Sequence, residues 1–110
     1  MANGLYGKVT PNAGEVRKLT DAATPNGKIR TVVIGACNRT ANAARISIAY
    51  STAAVAGDVQ DVDWKAVNRP LEANAEYERT HQLLHAGEHV YVKSDIAGIN
   101  FDVRGYEGKA

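Results

Sequence analysis

Alternation of apolar and polar side chains between closely spaced turns is the feature that most constrains this chain. Near the end of the sequence, Ile99, Phe101 and Val103 alternate with polar residues. Ile46 and Ile48 are spaced in the same way. A period of two places every second side chain on one face, which is typical of a β-strand with one buried face. The pattern therefore predicts an all-β protein.

Turn sequences recur at short intervals along the chain. Residues 24–27 (TPNG) combine a proline, which presets one turn dihedral, with an Asn-Gly pair that tolerates positive φ. Short strands between regular turns are typical of a sandwich or barrel. We predict a single antiparallel β-sandwich, immunoglobulin-like or jelly-roll-like, over residues 1–110. The expected strands lie near residues 5–10, 15–20, 28–38, 43–51, 62–66, 75–84, 88–94 and 99–106.

Length and charge restrict the classes of partner. A chain of 110 residues suits one domain. Its 13 basic and 12 acidic side chains leave a net charge of +1, which offers no basic excess for nucleic acid. No apolar segment is long enough to span a membrane, and the N-terminus lacks the pattern of a secretory signal. We therefore expect neither a nucleic-acid nor a membrane partner.

The predicted core follows from the inward face of each strand. Trp64 is expected to cap this core, and Cys37 to be a buried thiol in a central strand over residues 28–38. The core list is Val9, Val16, Val33, Ile46, Ile48, Trp64, Leu71, Val90, Val92, Phe101 and Val103.

No set of residues predicts catalysis, a metal or a cofactor. The three histidines are spaced by four, but Ala86-Gly87 interrupts any helix that would align them. Cys37 has neither a helix N-terminus nor a neighbouring base to activate it. Acids clustered near the middle of the chain are interpreted as solvated loop residues, because their spacing does not match a calcium loop. The residues concerned are His81, His85, His89, Asp58, Asp61 and Asp63.

Outward-facing aromatic and charged residues are the candidate interface. Strand parity predicts that Tyr6, Tyr91 and Tyr106 point outward, where they would anchor a protein interface or stack on a sugar. The segment 76–84 is charged on both faces, which favours a sheet edge or a surface covered by a partner. Its charged candidates are Glu76, Glu78 and Arg79.

Two stretches of the chain resemble a known class of protein. The first runs from Val32 to Thr40 (VVIGACNRT) and continues in residues 44–49 (ARISIA). The second comprises Asp63-Trp64, Pro70-Leu71, residues 78–80 (ERT), residues 90–95 (VYVKSD) and residues 103–107 (VRGYE). In this order they resemble the small β-sandwich structural proteins of tailed bacteriophage virions, over roughly residues 28–107.

The resemblance implies a non-enzymatic virion protein, made in the bacterial host cytoplasm. It implies a head decoration or cement protein whose partners are the major capsid protein or other virion proteins, and which self-associates or binds in many copies on a symmetric assembly. A module of the tail, neck or fibre and a carbohydrate-binding module remain the alternatives. Residues 1–27 carry little of the pattern and are expected to form a docking or edge segment.

Overall fold

Two antiparallel sheets of four strands each form a sandwich, which confirms the predicted all-β class. A computed structural model describes residues 4–109. The strands are β1 (Gly4–Val9), β2 (Arg17–Lys18), β3 (Lys28–Asn38), β4 (Ala44–Ser51), β5 (Trp64–Leu71), β6 (Glu76–Leu84), β7 (His89–Ser94) and β8 (Ile99–Lys109). Two one-turn 3₁₀-helices, Ala56–Asp58 and Asp61–Asp63, lie between β4 and β5. Among the described residues, no helix is long and apolar enough to cross a membrane.

The strand order is that of an eight-stranded jelly roll. Sheet I has the order β1-β8-β3-β6, and sheet II has the order β2-β7-β4-β5. β1 pairs with β8, β2 with β7, β3 with β6 and β4 with β5, so the two halves of the chain pair like one long folded hairpin. Of the two predicted sandwich types, the topology corresponds to the jelly roll.

The alternating strands bury the faces that their sequence predicts. Ile46 and Ile48 of β4 and Val90 and Val92 of β7 have no exposed surface. In sheet I, the inward residues of β8 complete the same core. The predicted core residues that the structure buries are Ile46, Ile48, Leu71, Val90, Val92, Phe101 and Val103.

The core residue predicted for β3, Val33, is wrong. Val32, Ile34 and Ala36 point into the core, whereas Val33 is only partly buried. Consequently Cys37 is exposed, and the prediction of a buried thiol is also wrong. Both faces of this strand carry apolar side chains, so periodicity alone does not distinguish the inward face.

Three other predicted core positions lie at its margin or outside it. Val9 and Val16 are partly buried, and Val9 packs against the core from its edge. Trp64 is partly buried and pairs with Ala49 on the outer face of sheet II. It therefore does not cap the core.

The fifth strand is longer than predicted because it is an edge strand. The expected strand ended at residue 66, yet Asn68 and Pro70 lie within β5. Proline is tolerated at a sheet edge, where its missing N–H faces away from the neighbouring strand. Asn68 has a φ of 52°, and the register with β4 shifts in this region.

The sixth strand lies at the edge of sheet I, as its two charged faces predict. Val32 pairs with Gln82 and Ile34 with Arg79, so β6 contains one more residue than β3 over this interval. His81 lies in this bulge and has a φ of 55°. The bulge interrupts the regular ladder in the middle of the strand.

Asn38 joins the two sheets at one end of the sandwich. Its side chain is completely buried. Its Nδ2 donates to the carbonyl oxygens of Asn42, Leu71 and Glu72 at 2.8–3.1 Å. Its Oδ1 accepts from the backbone N–H and the hydroxyl of Thr40. One side chain therefore holds the β3–β4 turn against the end of β5 and the turn that follows it.

We expect Asn38→Ala to lower the free energy of unfolding by about 2–4 kcal/mol, because buried carbonyl groups would lose their donor. Asn26→Ala, at an exposed turn position, is the matched control and should change it by less than about 0.5 kcal/mol. Chemical denaturation of both variants measures the difference. Equal stabilities of the two variants would contradict this role of Asn38.

Candidate functional site

Of the three predicted interface tyrosines, only Tyr106 has a largely exposed side chain. Tyr106 is 57% exposed on the outer face of sheet I. Tyr91 is on the outer face of sheet II, as strand parity predicts, but it is 0% exposed. Tyr6 is partly buried. The three rings therefore do not form a shared aromatic platform for a sugar.

Tyr91 is covered by the segment between β4 and β5. Its hydroxyl donates a hydrogen bond of 2.6 Å to the carbonyl oxygen of Ala53, and its ring meets His89 edge-on. Burial raises the pKa of the Tyr91 hydroxyl, and the charge of Asp58 adds to this effect. The prediction of an exposed Tyr91 is wrong because alternation identifies a sheet face but not what covers it.

Tyr6 belongs to a cluster at one end of sheet I. The guanidinium of Arg30 lies 4.2 Å from the centre of the Tyr6 ring. Arg30 also pairs with Glu107 at 3.0 Å and donates to the carbonyl oxygen of Ala22 at 2.9 Å. Burial raises the pKa of Tyr6, although the Arg30 charge opposes this shift. Since Arg30 is only 6% exposed, the cluster stabilises three strands rather than offering a charge to a ligand.

The charged residues of β6 separate into two sets. Glu76 and Glu78 are exposed on the outer face of sheet I. Arg79 turns toward sheet II instead, where its Nε donates to the Tyr50 hydroxyl at 3.2 Å. Hydrogen bonding to Tyr77 is the main cause that raises the pKa of Arg79. Glu76 and Glu78 are therefore accessible to a partner, whereas Arg79 bridges the sheets.

The histidines do not converge. His81 is exposed in the β6 bulge, His85 is exposed in the following turn, and His89 is buried in β7. Within residues 4–109, no group of three or more His, Cys, Asp or Glu side chains is placed to hold a metal ion. Asp63 closes its 3₁₀ turn by accepting from the Gln60 N–H at 3.0 Å.

The outer face of sheet I contains two shallow depressions. One, of about 490 Å³, is lined by Lys8, Val9, Thr10, Asn100, Phe101 and Asp102. The other, of about 260 Å³, lies beside Tyr106 and includes Thr31, Val33 and His81. The outer face of sheet I is therefore apolar around the depression beside Tyr106 and charged around the depression beside Asp102.

A third groove, of about 200 Å³, lies on the outer face of sheet II and was not predicted from the sequence. We call it the β5 groove; Ser47, Trp64, Val67, Asn68 and Lys93 line it. Val67 is 60% exposed, and Val62, just before the strand, is 84% exposed. Val67 lines the groove and Val62 does not, so the apolar part of its lining is Val67 and Trp64. The sequence predicted that this strand ends near residue 66, so Val67 and Asn68 were not recognised as part of a strand surface.

Comparison with known proteins adds no further assignment: no protein-family model matches the chain, and no curated protein matches it significantly.

His89 is the buried titratable group whose protonation we expect to affect stability. Its Nδ1 lies 2.8 Å from the Thr20 hydroxyl oxygen, which also accepts from the Val90 N–H. The Thr20 hydroxyl can therefore donate its hydrogen to Nδ1 of a neutral His89. Burial is the main cause that lowers the pKa of His89 below 6.5, and the charges of Lys18 and Arg30 act in the same direction.

A lowered pKa means that the folded protein binds a proton less readily than the unfolded chain. Neutral His89 therefore contributes fully to the free energy of unfolding above pH 6.5. This contribution decreases as the pH falls through 6.5 toward the pKa of His89 in the folded protein. We expect the melting temperature to fall between about pH 7.5 and about pH 5, and this fall to be smaller in His89→Gln. His85→Gln, at an exposed histidine, should keep the wild-type dependence. An NMR titration that gave His89 a pKa of 6.5 or more would contradict this prediction.

Proposed function

We propose that this protein is a non-enzymatic structural protein of a tailed bacteriophage virion. Within the virion, we propose that it is a capsid decoration protein that binds the lattice of the major capsid protein. Neither a cofactor nor a catalytic residue takes part in this function. The protein would act by noncovalent binding to the surface of another protein.

The observation that carries the proposal is the strand order of the two sheets. An eight-stranded jelly roll recurs in viral capsid domains, although lectin domains and other proteins share it. Fold analogy alone does not specify a function. The resemblance over residues 28–107 to small β-sandwich proteins of tailed bacteriophage virions is the second support for the proposal.

The β5 groove offers a surface for the capsid contact. Val67 and Trp64 give it apolar walls, and Lys93 and Asn68 give it polar ones. A groove of this kind suits an apolar side chain of the partner, with polar groups around it to define orientation. Because β5 is an edge strand, a partner can approach it from the side as well as from above.

The outer edge of β6 is a less favourable docking strand. An added strand requires an uninterrupted row of backbone groups. The bulge at His81 divides that row into two short regular parts, Glu76 to Arg79 and Gln82 to Leu84. Two exposed carboxylates, Glu76 and Glu78, lie on the first of these parts and discourage nonspecific pairing.

The mechanism would be stabilisation by linkage. A protein that binds the assembled lattice but not the free subunits shifts the equilibrium toward the assembled shell. The stabilisation at each site can be modest, because the contributions of many copies bound at equivalent positions of one shell add.

Quantitative mass spectrometry of purified virus particles tests this function. We expect the chain to occur in a constant high ratio to the major capsid protein. A few copies per particle would instead indicate the alternative, a module of the tail, neck or fibre, and would contradict decoration. Absence from the particles would contradict both.

We also expect Val67→Asp to abolish binding of the purified protein to shells that lack it, because a charge would enter an apolar contact. Val55→Asp is the matched control, since Val55 is similarly exposed but does not line the groove. Both variants should keep the wild-type melting temperature, as the substituted side chains are exposed. Co-sedimentation with shells measures binding, and normal binding of Val67→Asp would show that the β5 groove is not the docking surface.

A further inference from the structure

The outer face of sheet I has a charge pattern that is complementary to itself. Pairing places Glu78, Gly35, Asp102 and Lys8 in one row across four strands, from β6 at one edge to β1 at the other. The acidic and basic ends of the row are exposed. The next row toward the β6 start contains Glu76, Cys37 and Asn100. The β6 side of the face is therefore acidic, whereas the β1–β8 side has Lys8 and the ion pair of Asp102 with Arg104.

At the centre of this face the Asp102 carboxylate occupies the space that a side chain at position 35 would fill. Gly35 has no side chain, and the Asp102 carboxylate lies over it so closely that a Cβ there would be 2.5 Å from its Oδ1. That carboxylate is held by Arg104 at 2.6 Å. Farther along, the row of Leu83, Thr31 and Tyr106 is mainly apolar, with Leu83 49% exposed and Tyr106 57% exposed.

We propose that two copies of this chain associate face to face through the outer faces of sheet I. The two-fold axis would lie parallel to the strands, between β3 and β8. It would place β6 of one copy over β1 of the other, and β3 over β8. Glu78 of each copy would then oppose Lys8 of its partner, so the same ion pair would form twice, as a two-fold interface requires.

The remaining rows are compatible with this arrangement. Tyr106 of each copy would lie over Thr31 of the other, which removes apolar surface of both rings from water. Packed sheets are separated by about 10 Å, a distance that opposed Glu and Lys side chains together can bridge. A face of four strands covers roughly 500 Å² per copy at ordinary strand spacing. This is the low end of specific interfaces, so we expect a dimer that dissociates on dilution.

This dimer does not depend on the assembly that the protein enters, and it leaves the β5 groove on sheet II free. Failure of the dimer would therefore leave the capsid contact unaffected, and failure of the capsid contact would leave the dimer unaffected.

A charge-swap series measured by analytical ultracentrifugation over a range of concentrations tests the proposal. Glu78→Lys and Lys8→Glu should each weaken the dimer at least about tenfold, because like charges would face each other twice. The double variant, with both charges reversed, should return to within about threefold of the wild-type dissociation constant. Glu72→Lys and Lys65→Glu reverse exposed charges outside this face and should have no effect.

Cys37 gives an independent measurement because it is the only cysteine and is exposed on the same face. Its reaction with N-ethylmaleimide should slow as the protein concentration rises, and it should not slow in Glu78→Lys. A wild-type protein that is monomeric at all concentrations would overturn the proposal. So would a double variant as weak as the single ones, or a Cys37 reaction rate independent of concentration.

Discussion

The pairing of β3 with β8 is the constraint on which the rest of the structure depends. It runs without interruption from Lys28 opposite Lys109 to Asn38 opposite Ile99. The backbones approach so closely that a Cβ at Gly105 would overlap the carbonyl oxygen of Thr31. β8 also pairs with β1, and β3 also pairs with β6. The central pair therefore positions both other strands of sheet I. Because the two strands are distant in sequence, the first third of the chain cannot complete its sheet until the last residues have folded.

Buried polar groups in this protein connect the sheets and the loops. Asn38 binds the turn after β3 and the turn before β6, Arg30 binds Glu107, and His89 meets Thr20. Each of these contacts joins segments that are separated along the chain. In the described residues, no buried side-chain nitrogen or oxygen lacks a hydrogen-bond partner. These groups therefore have a positioning role, which leaves recognition to the exposed faces.

The two outer faces of the sandwich differ in a way that suits two kinds of contact. Sheet II has the β5 groove, lined in part by Val67 and Trp64, whereas sheet I has charges separated across its face. In the proposed dimer the two sheet I faces meet, so the two β5 grooves lie on opposite sides of the pair. Only one copy of a pair can therefore place its β5 groove on a given shell surface.

The fold class and the positions of most strands follow from the amino-acid sequence alone. In β4, β7 and β8, apolar residues occupy every second position, and the face that they form packs on the core. The charges on both faces of β6 likewise excluded it from the sheet centre.

The orientation of β3, the burial of Tyr91 and the extent of β5 depend on contacts between distant segments of the chain. In β3 both faces are apolar, so the neighbours that bury Val32 rather than Val33 select the inward side. Tyr91 is buried by a segment that joins two other strands, and Pro70 remains in a strand because that strand lies at an edge. Each of these outcomes depends on which distant segments meet, and local periodicity contains no information about that.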